Sequence, residues 1–144
     1  MVNPLLLGVI CIIPACFDIC SRKIPNRLCV FILLLSLYIS YQNEQFVYGI
    51  ISGLTISIFG LIFFYFGILA AGDSKLAAAL AAALLPGQLL NAVILTLLAG
   101  GVLAVFYLIK DRLILKKKPG EDRGLPYGVA ISFGFYLTIV ANSI

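Results

Sequence analysis

The chain contains no histidine and no tryptophan, a single methionine, and only 11% charged residues in its 144 positions. Without histidine there is no Ser-His-Asp or Cys-His catalytic arrangement, and none of the usual imidazole ligands for zinc. The four cysteines, Cys11, Cys16, Cys20 and Cys29, form no Cys-x-x-Cys pair, so a metal site is not expected and neither is a cofactor. No serine sits in a Gly-x-Ser-x-Gly turn, which removes the hydrolase elbow. The scarcity of charge excludes more. With 62% hydrophobic residues against the roughly 45–50% of soluble domains, the chain is not a water-soluble domain, and no nucleic-acid partner is expected of it.

What remains is a series of apolar segments separated by short polar turns. At about 20 residues per membrane-spanning helix the length admits about six, all in one domain covering residues 1–144. The fold class expected is therefore all-α, a polytopic membrane bundle of six transmembrane helices. Val2 to Phe17 is the first segment; it is too short to span unless it runs on past Asp18. It lacks the basic start and small-residue cleavage site of a signal peptide, and Pro14 argues against a lipoprotein box. Ser21 to Arg27 is a basic turn in which Pro25 suits the first turn of a second helix, Leu28 to Tyr41.

A third helix is expected over Phe46 to Leu69, with Gly49 and Gly53 as a close-packing seam. The fourth apolar run, Leu76 to Leu85 before Pro86-Gly87, is too short to span and must borrow Asp73 to Lys75. Gln88 to Ile109 forms a fifth helix, in which Gly100-Gly101 bends the helix or admits a neighbour. Pro126 opens the sixth. Cys16 and Cys20, four apart, read as small packing residues on one helix face.

Charge sets the orientation, because cytoplasmic loops collect Lys and Arg. The first loop holds Arg22, Lys23 and Arg27, the third Lys75, and the fifth Lys110, Arg112, Lys116, Lys117, Lys118 and Arg123, which accounts for all ten basic residues. The second loop has only Glu44. Both termini are then outside, and the odd loops face the cytoplasm.

On that face lie two acids that the apolar segments cannot avoid. Asp18 ends the first segment and Asp73 starts the fourth, and these are the two segments too short to span without them. A carboxylate at mid-membrane costs about 2.5–3.5 kcal/mol on insertion scales, and less near the interface, so its presence calls for a function. Two carboxylates held together do not both ionise cheaply; one keeps its proton while the other serves as a base. Such a pair activates water against a peptide carbonyl with no cofactor. Gly72, before Asp73, permits unusual backbone angles and close approach of a substrate. The structural alternative is that each aspartate caps a helix or offsets a cation, Asp18 beside Arg22 and Asp73 at the start of helix four.

Three motifs, Asp18-x5-Ile24-Pro25-Asn26, Gly72-Asp73-x-Lys75-Leu76 and Leu125-Pro126-Tyr127-Gly128-Val129-Ala130-Ile131, occur in an order and spacing that resemble the aspartic prepilin peptidases. The likeness is to their short form, as in tight-adherence pilus systems. It implies Asp18 and Asp73 as a catalytic dyad, supported by Gly72, Lys75, Pro25 and Asn26. One departure stands out: Ala70 replaces the first glycine of the Gly-x-Gly-Asp motif, which matters if that position needs a positive φ or tight packing.

The resemblance further implies an enzyme of the plasma membrane. It would cut the short basic leader from prepilin-like precursors at the cytoplasmic face, among membrane lipids, and the chain has no room for the cysteine-rich insertion of longer members, so methylation is not expected. Lys75 either tunes the pair or binds substrate, or it snorkels to the interface. The large basic loop reads as an orientation signal and anionic-lipid contact, with Asp111 a solvated ion-pair partner. Competing readings are a preflagellin peptidase, an ion or proton transporter using the two acids, and an inactive relative. The transporter reading requires midplane acids and an inverted repeat, and the sequence has neither.

Overall fold

The computed structural model describes residues 4–21, 24–110 and 125–142. Arg22, Lys23 and the charged residues of the large basic loop from Asp111 to Arg123 lie outside these, so their expected roles are not addressed by the fold.

Six α-helices form an all-α bundle: α1 (Pro4–Ser21), α2 (Asn26–Gln42), α3 (Phe46–Tyr65), α4 (Ala71–Ala81), α5 (Leu89–Ile109) and α6 (Tyr127–Ala141), with a short 3₁₀ turn at Pro86–Gln88 before α5. The expected six segments are all present. As anticipated, α1 continues beyond Asp18 and α4 takes in Asp73 to Lys75. Pro25 and Pro126 stand one place earlier than expected, at the N-caps of α2 and α6. α3 stops at Tyr65, sooner than Leu69, because the chain turns through Gly67 at φ 70°, a left-handed conformation that glycine adopts without a Cβ penalty.

α3, and the segment Pro86–Ile109 that contains α5, are long and apolar enough to cross a membrane, and only 22% and 17% of their apolar windows are buried. They are therefore the outer wall of the bundle, not its core. Their outward side chains include Leu61, Phe64, Leu98 and Val105. An apolar surface this extensive is the mark of a chain whose solvent is lipid.

The core is built the other way, from a short helix of small residues. α4 has 11 residues, about 16 Å of helix, roughly half the ~30 Å hydrocarbon thickness. It packs against α2, α3 and α6, while α6 also packs on α1 and α5. Leu76, Ala79, Leu80 and Ala81 are buried in that position, beside Ile32 of α2 and Ile131 and Phe135 of α6. Side chains no larger than alanine at so many α4 positions let three neighbours close around it.

Both ends of α4 are tied down by hydroxyls. Ser40 Oγ donates to the Ala82 carbonyl at 2.6 Å, and Ser74 Oγ donates to the Gly60 carbonyl at 3.1 Å. The Ser40 bond answers a carbonyl at the end of α4 that would otherwise go unpaired, whereas the Ser74 bond adds a second donor to a carbonyl inside α3. The Gly49–Gly53 seam faces α4 as expected: a Cβ on Gly49 would lie 2.5 Å from the Ala82 carbonyl oxygen, and one on Gly53 would lie 3.4 Å from that of Ala78. Gly100 likewise admits a neighbour, the ring of Tyr127.

Candidate active site at the shared ends of α1, α2, α4 and α6

The last turn of α1 and the first turns of α2, α4 and α6 meet at one end of the bundle. Asp18 is 6% exposed and Asp73 is 9% exposed. The first turn of α4 is itself enclosed, with Asp73 and Ser74 both buried and Ser74 bonded to α3. Asp18 in the last turn of α1 and Asp73 in the first turn of α4 are thus both buried at this shared end.

Asp18 is also the acceptor of a buried hydrogen bond. Gly128 N–H donates to its Oδ2 at 2.7 Å, across 110 residues of sequence. The N–H groups of a helix's first turn have no partner within the helix, and Pro126, fully buried at the N-cap, has no side chain able to supply one. The acid at the end of α1 does so instead. The bond's length is that of a charge-assisted N–H to carboxylate contact. The contact also needs glycine: a Cβ on residue 128 would stand 2.8 Å from Asp18 Oδ2 and 3.0 Å from its Cγ.

The capping alternative for Asp18 thus takes a different form from the one the sequence suggested. The helix end served is that of α6, reached only through the tertiary fold. Gly128 belonged to the third sequence motif, but nothing local marked it as a partner of Asp18; the available signal was a glycine two residues after a helix-opening proline.

The remaining motif residues gather at the same end in a second layer. Lys75 Nζ donates to Asn26 Oδ1 at 3.0 Å, joining α4 to α2 at an exposed position. The Pro25 carbonyl accepts from the Leu28 and Cys29 amides and so starts α2. Gly72 is helical and lies against Ile24, where an added Cβ would make an ordinary contact of 3.6 Å. The unusual backbone angles anticipated for Gly72 are not adopted, because the helix begins one residue earlier, at Ala71.

Ala70 answers the departure noted above. It is the N-cap of α4, exposed, with φ −73° and ψ 150°. Any L-residue takes this extended conformation without strain, and the extra methyl meets no tight packing.

Residues 5–105 match the model of the type IV leader peptidase family. The match runs from α1 into α5 and contains Asp18 and Asp73, while α6 with Gly128 lies beyond it. No curated protein and no solved structure matches the chain. With most of its length covered by that family model, including both acids at the shared helix ends, the chain belongs to the type IV leader peptidase family.

Proposed function

We propose that this protein is a membrane-embedded aspartic endopeptidase. It removes the short basic leader from type IV prepilin-like precursors at the cytoplasmic face of the plasma membrane, with Asp18 and Asp73 as the catalytic pair. The observation that carries the reading is the burial of two carboxylates at one end of the bundle of a leader-peptidase family member.

The roles divide by hydrogen bonding. Each acid faces a helix N-terminus, Asp18 from the last turn of α1 against α6 and Asp73 in the first turn of α4, so that dipole alone does not separate them. The Gly128 N–H on Asp18 Oδ2 does: a direct bond to the charged form favours it. Asp18 is then the base that takes a proton from water as the oxygen attacks the scissile carbonyl. Asp73 is the acid that donates to the carbonyl oxygen. In collapse of the tetrahedral intermediate, the proton now on Asp18 passes to the departing amine and Asp73 recovers its own, which leaves the pair as it began.

The orientation proposed has six membrane segments, the fourth being α4 together with the turn that follows it up to Pro86, and both termini outside. It is supported by the confinement of all ten basic residues to the odd-numbered connections and the helix ends beside them, Arg27 at the start of α2 and Lys75 near the start of α4. That puts the paired acids on the side where a basic leader emerges before its apolar helix.

The test is co-expression with a prepilin-like substrate of wild type, Asp18→Asn and Asp73→Asn, following loss of the leader by mass. Asparagine keeps shape and an acceptor oxygen while removing the titratable proton. Both variants are expected to accumulate in the membrane and to cleave nothing; cleavage surviving in either would reject the dyad.

A further inference from the structure

A groove of about 460 Å³ runs between α2, α3 and α4 on the side of the bundle away from α6. Its walls are apolar or small for almost their whole length, with Leu33 and Leu37 of α2 facing Leu54 and Ser57 of α3. Its one charged group is Lys75, and with Asn26 that residue marks the end nearest the paired acids. Lys75 is exposed and gives one hydrogen bond to Asn26. An ammonium carries three donors, so two remain for a ligand.

Dimensions decide what fits. Along α2 the lining runs from Asn26 to Leu37, about 16 Å at 1.5 Å per residue. One leaflet of hydrocarbon is about 15 Å deep, half of ~30 Å. That length and the apolar lining suit a single extended hydrocarbon chain. A cation at its mouth and an apolar channel one leaflet deep are together complementary to one class of molecule.

We infer that this groove binds an anionic phospholipid, with its phosphate on Lys75 and one acyl chain lying between α2 and α3 over the small residues of α4. The site stands independently of peptidase activity, since lipid would occupy it whether or not the aspartates cleave.

The experiment uses the full-length protein in nanodiscs of phosphatidylcholine doped with phosphatidylglycerol that carries a photoreactive diazirine in mid-chain. The adducts are then mapped by mass spectrometry. Adducts are expected to concentrate several-fold on Leu33, Leu37 and Leu54 relative to the outer-wall residues Leu61 and Leu98. The same tail on a phosphatidylcholine head is expected to label the groove less. Lys75→Gln is expected to weaken phosphatidylglycerol labelling there about fivefold, the equivalent of one basic contact to an anionic surface. Ser57→Phe fills the channel and removes the groove adducts while sparing those on the outer wall.

Equal labelling of groove and outer wall, or labelling indifferent to headgroup and to Lys75→Gln, overturns the site. So does displacement of the probe by a prepilin-like apolar segment that itself crosslinks to the groove, which assigns the channel to substrate. The headgroup comparison needs no variant, so the test survives any failure of Ser57→Phe to insert.

Discussion

Substituting Gly128→Ala probes the contact on which the division of catalytic roles depends. An alanine Cβ would sit 2.8 Å from Asp18 Oδ2, 3.0 Å from its Cγ and 3.1 Å from its Cβ. Ordinary contact begins near 3.4 Å, so the carboxylate or the start of α6 must retreat by about 0.6 Å. That stretches the 2.7 Å hydrogen bond to about 3.3 Å, past the 2.7–3.2 Å range in which N–H···O bonds are formed. A hydrogen bond to a charged group is worth about 1.5–3 kcal/mol, and 1.36 kcal/mol is tenfold in rate, so kcat should fall by about 10- to 100-fold. Stability moves less. Alanine is favoured over glycine in a helix by up to about 1 kcal/mol, which offsets part of the lost bond.

The assay is leader cleavage by purified, reconstituted protein, with thermal unfolding recorded in parallel. Gly101→Ala serves as the control, since a Cβ there meets nothing within 4 Å. Its rate should match wild type. A Gly128→Ala variant that folds and turns over at the wild-type rate would refute the claim that this amide holds the catalytic base.

Two further substitutions separate packing from chemistry. Gly134→Ala places a Cβ against Oγ1 of Thr96 and within 2.5 Å of the Thr96 amide nitrogen, so α5 and α6 must part. The expected loss is about 1–3 kcal/mol, typical of overpacking, read as a lower unfolding temperature with Asp18 and Asp73 unchanged in place. Ala70→Gly restores the glycine of the Gly-x-Gly-Asp motif, yet Ala70 is exposed and at φ −73°. Activity should not rise, and a large gain would show that the working conformation at residue 70 differs from this one.

Much of the site was legible because lipid is an unforgiving solvent. Where a segment must be apolar, an acid is conspicuous, and Asp18 and Asp73 could be singled out without any knowledge of their neighbours. The shortness of the fourth apolar run pointed to a helix that takes in Asp73 to Lys75, and α4 does so, but it ends at Ala81 instead of running on to Leu85 and is still too short to span by itself. Backbone detail was less accessible. Gly72 looked like a site of unusual torsion and is helical, while Ala70 looked like a defect and occupies an ordinary extended position; residue identity restricts torsion angles without choosing among the permitted ones.

The sequence by itself determined the all-α class, the number of helices, their order and the two acids worth watching, because these follow from hydropathy period and the cost of charge in an apolar medium. Tertiary structure alone decided that α4 is the enclosed helix, that Ser40 and Ser74 secure its ends, that Lys75 meets Asn26, and that the amide of Gly128 rests on Asp18 across 110 residues. Periodicity is a property of one helix, whereas which helix end meets which side chain depends on how all six pack together.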